Sequence, residues 1–194
     1  MDKISPEQRH KNMAAIRSHD TRPELIVRRW LWSRGFRYRL NSPRLPGHPD
    51  LVLRKYRTCI FVNGCFWHGH GNGNLDIPSN TIGGDKDLEP GVSGESNMLL
   101  RDSSCFRLPR TNREFWTRKI VRNIRRDAEE QRQLAAMGWH CITVWECELK
   151  PKSREQTLTA LEYTLNRIFL EDHTAPYPLL DEEQQWDMAA EPNP

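Results

Sequence analysis

No stretch of the 194 residues approaches the roughly 18 consecutive apolar positions that a membrane-spanning helix needs. The opening MDKISPEQRHKN lacks the apolar run that a secretory signal carries behind its charges. Cysteine is scarce and odd in number, five in the whole chain, which does not make the paired framework of an extracellular disulfide scaffold. These absences point to a soluble intracellular protein with no membrane partner, whose thiols are either core residues or metal ligands. At 22.8 kDa, with 37% hydrophobic and 28% charged residues, the chain has material for one ordinary core under a strongly polar surface.

The formal net charge of +3 conceals an asymmetry. Residues 1–60 hold 14 Lys and Arg against 5 Asp and Glu, and residues 107–126 hold 8 against Glu114 alone. Residues 171–194 lack Lys and Arg altogether and carry 7 acids. Two basic segments together with seven Trp are the footprint expected of a protein that meets a polyanion, with nucleic acid the leading choice. The proline-containing acidic end reads as a disordered tail.

Thr21-Arg22-Pro23-Glu24 has the form of a capping box with proline at the helix start, followed by Leu25, Ile26, Trp30 and Leu31 at helical spacing and Gly35 as a stop. Phe36–Leu40 reads as a strand. Asp50–Leu53 and Thr58–Val62 read as a hairpin across the polar turn Arg54–Arg57. A second capping box, Thr111 to Glu114, opens a long helix ended by Gly138. His140–Trp145 is a strand, and Ser153 to Gln156 caps a last helix reaching about Leu170. The order α, β, β, β, α, β, α describes an α/β (α+β) fold, a mixed sheet flanked by helices. Residues 71–104, with six Gly, a local charge of −4 and no periodicity, read as an insertion. The expected division is therefore an N-terminal segment 1–20, a domain 21–170 interrupted by that insertion, and the tail 171–194.

Two short stretches carry the chemistry. Leu45-Pro46-Gly47-His48-Pro49-Asp50 sets a carboxylate where a Pro-Gly turn enters a strand, a suitable place to hold Mg²⁺ over a cleft, although Pro-Asp in a turn commonly only caps or solvates. Twelve residues on, Asn63-Gly64-Cys65-Phe66-Trp67-His68-Gly69-His70 packs aromatics, histidines and a cysteine between two glycines, a mix that core packing alone does not explain. Cys65, His70, Cys105 and Cys147 would make an acceptable structural Cys₃His zinc set. The other reading leaves them as separate core or surface thiols. Cys59 and Cys141, inside apolar runs, belong to the core.

With these segments in view, the chain resembles the very short patch repair (Vsr) endonucleases, bacterial enzymes that nick DNA beside a T:G mismatch. The resemblance rests on Lys11–Arg17, Asp20–Leu25, Leu45–Asp50, Phe61–His68, Asn112–Trp116, Lys119-Ile120, Gly138-Trp139 and Val144–Leu149, in order across residues 11–149 with only 71–104 unmatched. It implies a fold related to type II restriction endonucleases and a monomer acting on double-stranded DNA, beside mismatch-repair proteins and in contact with the cytoplasmic nucleoid.

Residue by residue, the resemblance makes Asp50 the metal-binding carboxylate and gives Val62 a main-chain carbonyl role. Two Mg²⁺ ions would clamp the scissile phosphate, with one structural Zn²⁺ on Cys65, His70, Cys105 and Cys147. His68 becomes the base or positioner of the attacking water, and Glu24 an orienter of water unless it serves only its capping box. Phe66 and Trp67 correspond to a wedge entering the base stack, and Met13 to an intruder from the other groove. Lys119 and Asn123 would face the mismatch, with Arg118 and Arg122 nearer to phosphates. Asn63 departs from a position where the family often has histidine, and asparagine cannot transfer a proton at neutral pH. An inactive zinc-stabilised DNA-binding module, or a nuclease of other specificity, are the competing readings. The insertion parts His70 from Cys105. Closing the longer loop adds only ~2 kcal/mol by the logarithmic rule, against on the order of 10 kcal/mol from structural zinc, so the zinc set is expected to survive it.

Overall fold

The computed structural model describes residues 5–15, 17, 19–71 and 104–174. The body of the 71–104 insertion and residues 175–194 of the tail lie outside them, together with the expectations placed there.

The chain begins with a helix that the sequence reading did not expect, α1 (Pro6–Ala14), started by the Ser5 hydroxyl, which accepts from the Gln8 amide at 3.2 Å. α2 (Arg22–Ser33) starts at the expected capping box, and the Thr21 hydroxyl donates to Glu24 at 2.7 Å. It turns Val27 and Leu31 into the core. Strand β1 is confined to Arg39–Leu40, because Phe36 leaves the strand line and folds into the core beside Tyr56, ring centroids 5.1 Å apart. β2 (Leu51–Leu53) and β3 (Thr58–Asn63) form the expected antiparallel hairpin, turned by a 3₁₀ segment and by Arg57 at φ 44.

α3 (Arg113–Ala136) begins without the anticipated second capping box. Asn112, at φ 52, takes the cap position and gives no side-chain cap bond, so Thr111 and Glu114 do not close the reciprocal pair. β4 (His140–Trp145) pairs in parallel with β3, and α4 (Arg154–His173) runs three residues past its expected end, carrying Glu171 and Asp172 into the folded part. The sheet order is β1-β2-β3-β4, antiparallel except for the last pair. Strand alternation then sorts the core. Leu51, Leu53, Ile60 and Val144 meet Val27 and Leu31 of α2 and Leu158, Leu161 and Leu165 of α4, whereas Val52 and Cys59 meet Leu134 of α3. The protein is thus a mixed α+β sheet with helices on both faces, and Cys59 is a core residue, fully buried as expected.

Candidate active site and metal centre

β3 and β4 run parallel and in register, Asn63 opposite Trp145. Two residues beyond each strand end stands a cysteine, so the pairing itself brings Cys65 and Cys147 to the same edge of the sheet. His70 returns to them through a turn in which its amide bonds the Cys65 carbonyl at 3.0 Å, and Gly69 supplies φ +60. The His70 Nδ1 then lies 3.5 Å from the Cys65 Sγ, 3.1 Å from the Cys105 Sγ and 3.3 Å from the Cys147 Sγ. All four donor atoms fall within 4.8 Å of one another. A tetrahedral centre with sulfur at about 2.3 Å and nitrogen at about 2.0 Å needs ligand atoms roughly 3.5–3.8 Å apart, so the donor set fits Zn²⁺ with small adjustments. Trp145 stacks flat on the His70 ring, 4.1 Å away at 11°, and fixes its plane. Burial pushes the Cys65 thiol up to about 12 and raises Cys147 as well, so without a cation these thiols stay protonated. The sequence reading grouped the same four residues, across the insertion.

Beside this cluster a cleft of about 710 Å³ opens at the same sheet edge, lined by Met13, Glu24, Asp50, Asn63, Trp67 and His68 among others. Asp50 forms part of its wall immediately before β2. One carboxylate oxygen, Oδ2, accepts the Val62 amide at 2.7 Å, while the other has no hydrogen bond among the described residues. Burial, with the nearby Glu24 charge adding to it, pushes Asp50 up to about 6, against the opposing effects of the Val62 amide, Arg28 and His68. A half-buried carboxylate with one oxygen open to an acidic cleft is a suitable ligand for a divalent cation.

That elevation has a sign that can be checked. A folded value above the unfolded one means that the group's stabilising contribution is complete below about pH 4 and is lost as the pH rises through about 6. The chain without divalent cation other than zinc should therefore gain about 2 kcal/mol at pH 7 from Asp50→Asn, after discounting the shift for partial exposure, and nothing near pH 3.5. Urea unfolding of both proteins at the two pH values measures this, and equal gains at both would refute it.

His68 faces the cleft with its ring fixed from behind. Its Nδ1 lies 2.5 Å from the Asp127 Oδ2 on α3. With Asp127 ionised, Nδ1 carries the proton and Nε2, which has no partner among the described residues, is left to accept one. Asp127 was missed by the sequence reading. Its signal was its spacing, since Lys119, Asn123 and Asp127 follow one another at four-residue steps along one helix face.

The remaining expected residues gather around the same loop. The Asn123 amide donates to the Trp67 carbonyl at 2.8 Å, and the Lys119 ammonium lies 5.3 Å from the Trp67 ring and 5.6 Å from that of Trp116. Phe66 is half-buried against Phe106 and Trp116. Met13 is 41% exposed, and Arg118 and Arg122 lie on the exposed side of α3. Glu24 is 3% exposed and fully engaged. Its Oε1 accepts from the Thr21 amide and hydroxyl, and its Oε2 from the Asp20 amide at 3.0 Å and from Arg28 at 2.8 Å. Asn63, nearly buried, ends β3 in the cleft wall.

The family model described as DNA mismatch endonuclease Vsr matches residues 1–73. A type II nicking enzyme of Xanthomonas oryzae, V.XorIIP, is 38% identical over 167 residues, 86% of this chain and 96% of that protein. The chain belongs to the Vsr endonuclease family. A type II nicking enzyme of Neisseria meningitidis, V.NmeAIP, is 36% identical across 78% of this chain and 86% of its own length. The DNA mismatch endonuclease Vsr of Escherichia coli is 32% identical across 75% and 74%. As a member of the Vsr family the protein is a DNA endonuclease, and the metal-competent Cys₃His cluster accords with that. No helix among the described residues is long and apolar enough to cross a membrane.

Proposed function

We propose that this Vsr-family protein nicks one DNA strand 5′ of the mispaired thymine in T:G mismatches left by deamination of 5-methylcytosine. The observation that carries the reading is the convergence, in one cleft, of a carboxylate with an open oxygen (Asp50), a histidine held by a carboxylate (His68–Asp127) and an aromatic edge (Trp67). A restriction-endonuclease-like core is the fold reading that goes with it. Residues 1–20 serve as a DNA-contacting segment, and the working unit is a monomer.

In this reading Asp50 and the Val62 carbonyl would hold Mg²⁺, which would supply positive charge beside the scissile phosphate. His68 accepts the proton of the attacking water at Nε2 and passes it to solvent while Asp127 keeps the ring in the tautomer that allows this, and as the water oxygen bonds to phosphorus the opposite P–O ester bond breaks, its deoxyribose oxygen taking a proton from solvent. Glu24, with both oxygens occupied by Asp20, Thr21 and Arg28, holds the 20–21 turn beside the cleft and contributes negative charge, acting as a positioning residue. Cys65, His70, Cys105 and Cys147 would hold Zn²⁺, and so held they would fix the loop that carries Trp67 and His68. Trp67 with Phe66 on one side and Met13 on the other enter the stack. Unstacking costs a few kcal/mol and less at a mispair, so the wedge selects the mismatch through that difference. Lys119 and Asn123 support Trp67 from below, and Arg118 and Arg122 meet phosphates. Asn63 binds the phosphate through its amide and moves no proton.

The test compares strand nicking on duplexes carrying 5-methylcytosine:G, T:G or T:A at one site, with and without Mg²⁺. A Mg²⁺-dependent single nick at T:G alone is expected. Tight T:G binding without a nick would turn the reading into an inactive recognition module, the outcome to which Asn63 is relevant. Equal cleavage of all three would keep the nuclease and discard the mismatch. Within an active enzyme, Asp127→Asn should slow nicking at saturating DNA by about 10- to 100-fold with affinity kept within about twofold, since the amide can donate to Nδ1 and favour the wrong tautomer. An unchanged rate would remove Asp127 from the mechanism.

A further inference from the structure

Between residues 25 and 49 the sequence has six Arg and neither Asp nor Glu. The fold gathers part of this stretch into one exposed face, away from the cleft. Trp32 on α2 is 56% exposed, the Arg37 guanidinium lies 4.2 Å from its ring centroid, and Tyr38 meets it edge-on at 6.1 Å. Arg29, one helical turn before Trp32, is exposed and forms no ion pair among the described residues. Beside them Leu40, 45% exposed, lies on the outer strand of the sheet. An arginine cluster around an exposed tryptophan matches an acidic segment with apolar anchors.

Such a segment begins next to it. The rings of Phe36, Tyr56 and Phe169 form a line with centroid steps of 5.1 and 5.4 Å, so the C-terminal turn of α4 lies close to the residue that precedes Arg37. Lys55 caps the same line, 4.7 Å from the Phe169 ring. α4 ends at His173. The sequence beyond, 175–194, has five Asp and Glu, no Lys or Arg, and the apolar residues Leu179, Leu180 and Trp186. Twenty residues reach at most about 70 Å, and a flexible chain of that length has a root-mean-square span of about 25 Å, ample for the distance. Tethering at this range makes the effective concentration of the order of millimolar, so weak contacts suffice.

We propose that the acidic C-terminal segment of this chain, residues 175–194, docks on the arginine–tryptophan face formed by Arg29, Trp32 and Arg37. The chemistry is carboxylate to guanidinium at Asp181, Glu182 and Glu183, with leucine or tryptophan against Trp32 and Leu40. The proposal is independent of the T:G reading, since it involves no residue of the cleft.

Hydrogen–deuterium exchange on the full chain tests it. Amides of 179–188 should exchange about tenfold more slowly at low salt than at about 0.5 M salt, because surface ion pairs are screened. Reversing the tail (Asp181→Lys, Glu182→Lys, Glu183→Lys) or the face (Arg29→Glu, Arg37→Glu) should each abolish that protection, and combining both reversals should restore at least about a third of it. The face variants change exposed charges, and melting temperature monitors the fold of every variant. Free-peptide exchange of the tail at low salt would overturn the proposal. So would protection that survives the Arg29 and Arg37 reversal, which places the tail elsewhere. Protection that grows with protein concentration would assign the face to a second copy. Slowing of the 37–41 amides by DNA, with the tail unaffected, would assign it to nucleic acid.

Discussion

Asp50→Ala should reduce nicking by about 10³-fold or more while leaving binding to a T:G duplex within a few-fold of the parent. The size follows from position. Asp50 is the carboxylate that enters the cleft with one oxygen already committed to the Val62 amide, so no other side chain can take over its geometry. Glu24, the nearest alternative, has each oxygen engaged by two donors. Binding should survive because the proposed reading assigns the DNA contacts to Trp67, Met13 and the basic face of α3, and removing a half-buried negative charge lowers repulsion toward phosphate. Single-turnover nicking and equilibrium binding on the same duplex separate the two. A rate within tenfold of the parent would show that the scissile phosphate is served by another carboxylate. Asp50→Asn, which keeps an acceptor for the Val62 amide, should lose nicking as well while being more stable than the parent near pH 7, so lost activity cannot be attributed to unfolding.

The second large effect concerns the Cys₃His cluster. Cys147→Ser should leave the purified protein without its equivalent of zinc and lower its melting temperature by roughly 10 °C or more, with nicking lost. Structural zinc contributes on the order of 10 kcal/mol in small peptides, comparable with the whole stability of a domain. In this protein the loss falls on the 64–70 turn, which is tied to the sheet end through Cys65 and His70 and to α3 through Asn123 and Asp127. Freed from Cys147 and Cys105, that turn would no longer present Trp67 and His68 together. A chelator should reproduce the loss in the parent, and added Zn²⁺ should reverse it. A Cys147→Ser protein with unaltered melting and full activity would make the four residues independent thiols, whatever their proximity. Cys59→Ala is the contrasting case. Cys59 lies in the core on the α3 side of the sheet, so it should alter stability by packing alone and leave zinc content at one equivalent.

How much of this was legible beforehand varied by element. Thr21 to Glu24 announced α2 because a capping box is local chemistry, completed within four residues. The hairpin of β2 and β3 was legible for the same reason, two apolar runs and a short polar turn. Thr111 to Glu114 presented a similar pattern and failed as a cap, since Asn112 enters α3 through a left-handed conformation that its spelling does not specify. Phe36 looked like a strand residue and became core, because contact with Tyr56 outweighs the alternation of five residues. α1 was not seen because its Ser5 cap leads into a polar stretch with little apolar periodicity.

The site divides along the same line. Residue types with fixed chemistry, Asp50 at a strand entrance and the Gly64–His70 aromatic-histidine-cysteine run, declared themselves in the sequence, and their resemblance to the Vsr family identified the enzyme class. Asp127 did not, because a lone aspartate on a basic helix is ordinary until a histidine 59 positions away is brought within 2.5 Å of it. Glu24 had two readings, and the donors from Asp20, Thr21 and Arg28 that engage its oxygens, visible only in the folded protein, support the structural one. The parallel pairing of β3 with β4 had the widest consequence. Setting Asn63 beside Trp145 put Cys65 and Cys147, 82 positions apart, at one sheet edge, and with them the cleft, the metal donors and the loop carrying Trp67. Local sequence fixes hydrogen bonds that close within a few residues. Pairing across long separations depends on which apolar faces meet, and that is decided only when the whole core packs.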